Sequence, residues 1–432
     1  TTVLDLDALS KAEGRKWVWK GVSLLDPDER FALINLSDGG EDAVSVREFD
    51  LVTGQFVSGG FDIPKSKQDA AWLDKDTLLL ARDWGDGTMT ASGYPFVVKM
   101  LKRGDPLSAA KEIFRGQASD QLMSMPLILS DGQGHRAVFL YRGVTFFGNE
   151  TSLLTAEGPK RLPLPAKSQL QGMVDGQVLI QTSETWVSGG VTVPAGALAS
   201  VPLQALKAGS VLTPTILFAP TPRQSIDGVA TTKTRVILTI NDNVRGRVLV
   251  YARNQAGWRS QAVALPDNAT ISTVAASDKS DKAYLSVAGF LAPTTLWAMD
   301  AADPRPQQVK AMPARFDAAG LVVEQFEAAS SDGTKIPYFI VHRKDMKPDG
   351  TTPTIMTAYG GFEVSMTPSY AAITGKLWLE RGGSFVLANI RGGGEFGPAW
   401  HEAGRKTKRQ IIYDDFAAVA QDIFARKLSS PQ

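Results

Sequence analysis

The stretch FEAASSDGTKIPYFIVHR, Phe326–Arg343, is where the character of the chain changes. Two strand-like runs flank Ser331-Asp332-Gly333, a polar triplet suited to a tight turn, so the segment predicts a β-hairpin. Beyond it come an apolar strand around Thr354–Thr357, a glycine turn, a second strand at Ser384–Ile390 and another glycine loop. Arg409–Leu428 then sets Ile412, Phe416, Val419, Ile423 and Phe424 on one face at helical spacing, with Asp414 and Asp415 expected to be exposed near the helix start. Strands alternating with a helix predict an α/β layer over residues 321–432.

Upstream, over residues 1–320, the pattern is strand after strand: short apolar or alternating runs broken by Gly, Asp, Asn and Pro. Phe31–Leu36, Thr77–Ala81, Phe96–Leu101, Ala137–Tyr141, Val178–Gln181, Arg235–Ile240 and Val248–Tyr251 are examples, and amphipathic helices are scarce. One phrase recurs, an apolar strand end followed by a polar turn that often holds glycine. It is found at Phe49–Gly54, Val98–Gly104, Leu153–Gly158, Val201–Gly209, Val250–Gly257 and Leu296–Asp303. The spacing of roughly 50 residues is that of a four-stranded propeller blade, not of a helical solenoid. The expected fold is therefore a β-propeller followed by an α/β segment.

Composition narrows the function. Forty-six basic and 45 acidic side chains nearly cancel, and no Lys/Arg stripe stands ready to neutralise phosphates, so nucleic acid is not an expected partner. No apolar run approaches the roughly 20 residues that span a bilayer, and a membrane is not expected either. The absence of cysteine excludes disulfides and a thiol nucleophile and leaves the compartment open, cytoplasmic or periplasmic. His135, His342 and His401 lack any paired-ligand spacing, so no metal and no cofactor are expected. The Arg391–Gly394 loop matches neither a P-loop nor a dinucleotide fingerprint and is read as packing.

Three phrases near the C-terminus, SDGTKIPYFIVH (Ser331–His342), AYGGF (Ala358–Phe362) with Thr367-Pro368-Ser369-Tyr370, and ANIRGGGEFGPAW (Ala388–Trp400), resemble the prolyl oligopeptidase family of serine peptidases. The likeness continues through His401 to the Asp414-Asp415-Phe416 helix. It implies a seven-bladed propeller that lids an α/β-hydrolase active site and admits only short peptides. It also implies that Tyr359 donates its hydroxyl to the oxyanion of the tetrahedral intermediate, a role typically worth ~3 kcal/mol in the transition state. Phe362 would line the pocket for the residue before the scissile bond, where an aromatic wall suits proline. A preference for basic residues, as in the related oligopeptidase B group, is open within the same class. By residue type alone, Tyr359 and Phe362 read as strand-end core aromatics, His401 as structural, and His342, at a strand end beside Arg343, as a solvated or hydrogen-bonded neighbour.

α/β-Hydrolases order their triad Ser, Asp or Glu, His, with the serine in a G-x-S-x-G elbow. No serine here fits; Val57-Ser58-Gly59, Val187-Ser188-Gly189 and Gly383-Ser384-Phe385 come nearest. The resemblance places the triad beyond Gln432 and, before the first blade closes, a segment that packs on the hydrolase domain; since Thr1 already lies in propeller-like sequence, an N-terminal portion is expected upstream. The expectation is thus a piece of a peptidase whose hydrolase domain is completed by a second polypeptide or a further C-terminal segment. The competing expectation is a non-catalytic propeller that binds peptides or proteins.

Overall fold

A computed structural model of the chain describes residues 2–431. Among the described residues, six antiparallel sheets of four or five strands precede residue 312, besides one two-stranded ribbon. The first joins Trp17–Leu24, Phe31–Asp38, Val44–Asp50 and Gln55–Phe56, with Asp62–Ser66 added against the third strand. The second joins Asp69–Asp74, Thr77–Ala81, Val97–Lys102 and Lys111–Arg115, and the third Ser124–Ser130, Arg136–Arg142, Glu150–Thr155 and Gly158–Arg161. The fourth joins Ser168–Val174, Gln177–Thr182, Leu198–Pro202 and Thr215–Phe218. The fifth and sixth run from Gln224–Thr231 to Gly257–Val263 and from Ala269–Ser277 to Asp303–Ala311. All six copies of the recurring phrase fall where a third strand ends and leads to the fourth. The repeat read in the sequence is thus the outer turn of a four-stranded meander.

The apolar runs have a packing reason. In the second sheet, Leu78 and Leu80 join a core with Leu33, Val46 and Ile63 of the first sheet, whereas Leu79 and Ala81 join Val138 and Leu140 of the third. A strand whose two faces both meet a neighbouring sheet has no solvent side, so Thr77–Ala81 reads as a continuous hydrophobic run, not an alternating one. The fifth sheet repeats this: Val236, Leu238 and Ile240 pack with Leu179 and Leu198, and Ile237 packs with Ala283 and Leu285.

The chain divides into two compact units. One contains the first three sheets and the short helix Leu203–Ala208; the other contains the fourth to sixth sheets and everything after residue 211. Two local features were not foreseen. Leu6–Glu13 is a helix, capped by Asp5 Oδ1 accepting from the Ala8 N–H at 2.9 Å and closed by Gly14 at φ 64°, and its Leu6 and Leu9 pack on the first sheet. Trp186–Ser188 and Val191–Val193 form a separate ribbon whose Gly189-Gly190 turn has φ 56° and 78°. Ser188 is spent there, its hydroxyl donating to the Leu212 carbonyl at 2.7 Å.

After residue 320 a mixed sheet forms from β1 (Leu321–Ala329), β2 (Lys335–Arg343), β3 (Thr354–Thr357) and β4 (Ser384–Ala388) in the order β1-β2-β4-β3. The first two pair as the expected hairpin, β2 runs antiparallel to β4, and β3 runs parallel to β4. One α-helix, α1 (Ala372–Leu377), lies between β3 and β4, and two, α2 (Pro398–Ala403) and α3 (Gln410–Ala425), follow β4. Strand β2 is buried from Ile336 to His342. Ile336, Tyr338 and Ile340 face α3 with Ile412, Val419 and Ile423, while Phe339 and Val341 face Val244 and Phe290 of the last two propeller sheets. Among the described residues, no helix is long and apolar enough to cross a membrane.

Truncation of either Leu79 or Leu80 to Ala, one on each face of the same strand, is expected to cost roughly 2–5 kcal/mol in urea unfolding, whereas Val211→Ala, at a side chain 78% exposed, should stay within about 0.5 kcal/mol.

Candidate active site

The site is built on the two loops that leave the C-terminal ends of β3 and β4, the parallel pair, which is where open α/β sheets place their ligands. The loop after β3 carries Tyr359 and Phe362, 49% and 62% exposed. Both expected site residues therefore lie on one loop with their rings turned out of the core, which is not how strand-end core aromatics sit. The backbone is unusual here: Gly360, Phe362 and Glu363 have φ of 64°, 52° and 59°. For residues with a Cβ this conformation costs roughly 1–2 kcal/mol each, so the surrounding structure must hold it.

What holds it is the loop after β4. A Cβ at Gly392 would lie 2.5 Å from the Gly360 carbonyl oxygen, one at Gly393 2.9 Å from the Val364 oxygen, and one at Gly394 would fall on the Glu363 oxygen. The glycine run lets one backbone lie directly on the other, and the Gly394 N–H donates to the Val364 oxygen at 3.2 Å. Gly360 is confined on its other side, where a Cβ would come within 2.8 Å of Ile390 and Ile412. His401 of α2 is buried beside both loops, its Nδ1 2.7 Å from the Gly392 carbonyl and 3.1 Å from the Glu363 N–H. It joins the two loops, in keeping with a structural reading.

Arg391 opens the glycine loop, and its packing role takes an ionic form. Its Nε donates to Asp415 Oδ2 at 2.9 Å and Nη2 to Oδ1 at 2.6 Å, while Nη1 reaches Asp332 Oδ2 at 2.6 Å. Ser330 and Thr334 of the hairpin turn complete the shell. The Asp415 hydrogen bonds raise the Arg391 guanidinium further above its ordinary value, and Arg391 holds the Asp332 carboxyl well below the usual carboxylate range. Asp415, expected in the open near the helix start, is instead fully buried. The signal lay in the helix spacing, because Asp415 sits three residues after Ile412 and four before Val419, on the apolar stripe itself. Phe424, expected on that stripe, is 36% exposed at its end.

Both loops are also tied to the last two propeller sheets. Ser225 Oγ donates to the Glu395 carbonyl at 3.0 Å and Thr270 Oγ1 to the Pro368 carbonyl at 2.6 Å. Arg223 pairs with Glu327 and lies over the Phe396 ring. The Thr367–Tyr370 phrase anchors the far end of the first loop, with Tyr370 stacked on Phe316 and its hydroxyl accepting from the Arg315 N–H at 2.8 Å. Of the other candidates, His342 is buried, its Nε2 2.7 Å from Glu324 Oε2, and Ser384 is buried within β4, so neither serves this site.

Residues 1–312 match the family model for the prolyl oligopeptidase N-terminal β-propeller domain, and residues 369–432 match that of the prolyl oligopeptidase family. The chain belongs to the prolyl oligopeptidase family. It is 47% identical over 436 residues to an uncharacterized peptidase, y4nA, of Sinorhizobium fredii, covering 99% of this chain and 60% of that protein. It is 32% identical to an uncharacterized peptidase, RP174, of Rickettsia prowazekii, covering 100% and 62%. Among solved structures, a post-proline cleaving enzyme from Rickettsia typhi superposes with a TM-score of 0.92 at 30% identity, over 100% of this chain and 64% of that one. The chain thus spans about three fifths of the length of these relatives.

Two substitutions test the construction of the site. Asp415→Ala leaves the Arg391 charge buried without its main partner and should cost about 3–5 kcal/mol in chemical unfolding. Gly392→Ala is expected to displace the Tyr359–Val364 loop, seen as faster hydrogen exchange over residues 359–364 than over β2.

Proposed function

We propose that this chain supplies the propeller and the oxyanion side of a serine peptidase that hydrolyses short peptides, with cleavage after proline as the first expectation. The carrying observation is the exposed Tyr359 side chain, on the same loop as Phe362 with its left-handed residues at the end of the parallel pair. A phenol at this position can donate to an oxygen on which negative charge develops as an acyl carbon becomes tetrahedral. A donor already in place costs no reorganisation at the moment of reaction. Phe362 offers an apolar wall next to it, suited to the ring of a proline before the scissile bond. The hydrolase portion is taken to begin at residue 321, where β1 starts, and the propeller region to cover residues 1–320.

The serine, aspartate and histidine of such an enzyme have no counterpart in the two loops. Strand β3 is the last in the sheet order, bonded to β4 on one side and open on the other, with Ile355 43% exposed. An open edge of this kind is a template for another strand. We infer that a further polypeptide segment, continuous with this chain or separate, pairs with β3 and brings the nucleophile next to Tyr359. The propeller then limits access to short peptides. The relatives, named as a peptidase and a post-proline cleaving enzyme, agree with this chemistry.

Fluorophosphonate labelling of the protein carrying its complete hydrolase domain is expected to mark one activated serine; no labelling would favour a propeller that only binds peptides. In the labelled protein, Tyr359→Phe should lower kcat by roughly 10²–10³-fold with little change in KM. Phe362→Ala should chiefly raise KM for proline-containing substrates, and an unchanged preference between proline and arginine substrates would remove Phe362 from the pocket.

A further inference from the structure

Glu395 follows the three glycines, is 1% exposed, and faces no cation. Its Oε1 accepts from the Met366 N–H at 3.0 Å and lies 3.4 Å from Asn389 Nδ2. Its Oε2 is buried without a hydrogen-bond partner, and so is the carbonyl oxygen of the same Asn389 side chain. Asn389 Nδ2 also donates to the Met366 carbonyl at 2.6 Å. Glu395 and Asn389 together therefore clamp both backbone groups of Met366, at the end of the loop that bears Tyr359 and Phe362, while the Glu395 carbonyl receives Ser225 from the fifth propeller sheet. Two orphaned acceptors on neighbouring buried side chains are costly, and a proton on the carboxyl would remove its charge and add a donor.

We propose that Glu395 is a positioning residue for the Tyr359–Met366 loop and acts as a neutral carboxylic acid paired with the Asn389 amide. The inference rests on the peptidase reading only for its kinetic consequence. Burial, the largest influence, pushes the carboxyl from 4.5 up to about 7, and only the Met366 N–H, its own N–H and the Asn389 amide oppose this. The charged and titratable groups on the surrounding elements are engaged elsewhere or open to solvent: Arg391 with Asp415 and Asp332, Arg223 with Glu327, His401 between Gly392 and Glu363, and Asp227 exposed on its strand. Between pH 4.5 and about 7 the folded chain keeps a proton that the unfolded chain has released. The contribution of Glu395 to stability therefore falls as pH rises through that window and levels off above it.

The test uses the protein with its complete hydrolase domain and compares Glu395→Gln, which keeps the shape without ionising, with Glu395→Ala. Expected at pH 6 is a carboxylic-acid C=O infrared band lost in E395Q, and in E395Q a flatter pH dependence of hydrogen exchange over residues 359–366, after correction for the intrinsic exchange rate. For peptide cleavage, E395Q should stay within about threefold of the parent kcat, while E395A loses roughly tenfold to a hundredfold with a smaller change in KM, as for a donor displaced by about an ångström. An infrared band that E395Q leaves in place, or a glutamine variant as defective as the alanine one, overturns the proposal. Should the parent protein cleave no peptide, the peptidase reading fails while the infrared and exchange results still decide the role of Glu395.

Discussion

The guanidinium of Arg391 joins three pieces of chain that are remote in sequence: the hairpin turn at Ser330–Thr334, the start of the glycine loop, and the first turns of α3 at Asp415. Its side chain is only 6% exposed and that of Asp415 is 0%. A buried ion pair of this kind gives little net stability compared with well-packed apolar side chains, yet losing one partner is heavily penalised because the other charge cannot return to water. The consequence is geometric. Arg391 can satisfy its donors only when β2, the loop after β4 and α3 are all in register, so the mixed sheet and its helix are fixed relative to the loop that Arg391 opens.

From that fixed point the glycine loop reaches outward. Gly392, Gly393 and Gly394 have no side chains because the Gly360–Val364 backbone lies where those side chains would be. The exposed aromatics thus owe their positions to a backbone-on-backbone contact that begins at a buried charge. Ser225 and Thr270 add a second anchor by bonding the carbonyls of Glu395 and Pro368, so the fifth and sixth propeller sheets bear on the same two loops. A strained left-handed segment at Phe362 and Glu363 persists because it is supported from both sides.

Much of this was legible. The recurring phrase located the third-strand ends of six sheets, and the hairpin at Ser331-Asp332-Gly333 and the helix after Arg409 formed where periodicity placed them. Local rules suffice for such features because strand alternation, turn residues and helical spacing are short-range. The roles of Tyr359 and Phe362 rest on the resemblance of the motif, since nothing in an aromatic residue type says whether its ring faces the core or the solvent. Asp415 was misread because an acidic residue early in a helix is favourable in the open as well. The sequence spacing put it on the apolar stripe, but the cation that makes burial tolerable comes from 24 residues away.

By itself the sequence determined the propeller-then-α/β order, the strands and the family, because these follow from periodicity and from motifs read in order along the chain. Only the tertiary structure decided that Arg391 is a buried ionic hub, that the glycine run exists to admit another backbone, and that Glu395 and Asn389 bracket Met366. Each of these depends on two or more segments meeting in space, and the dielectric, the orphaned polar atoms and the close approaches that give the residues their roles do not exist until the segments have met.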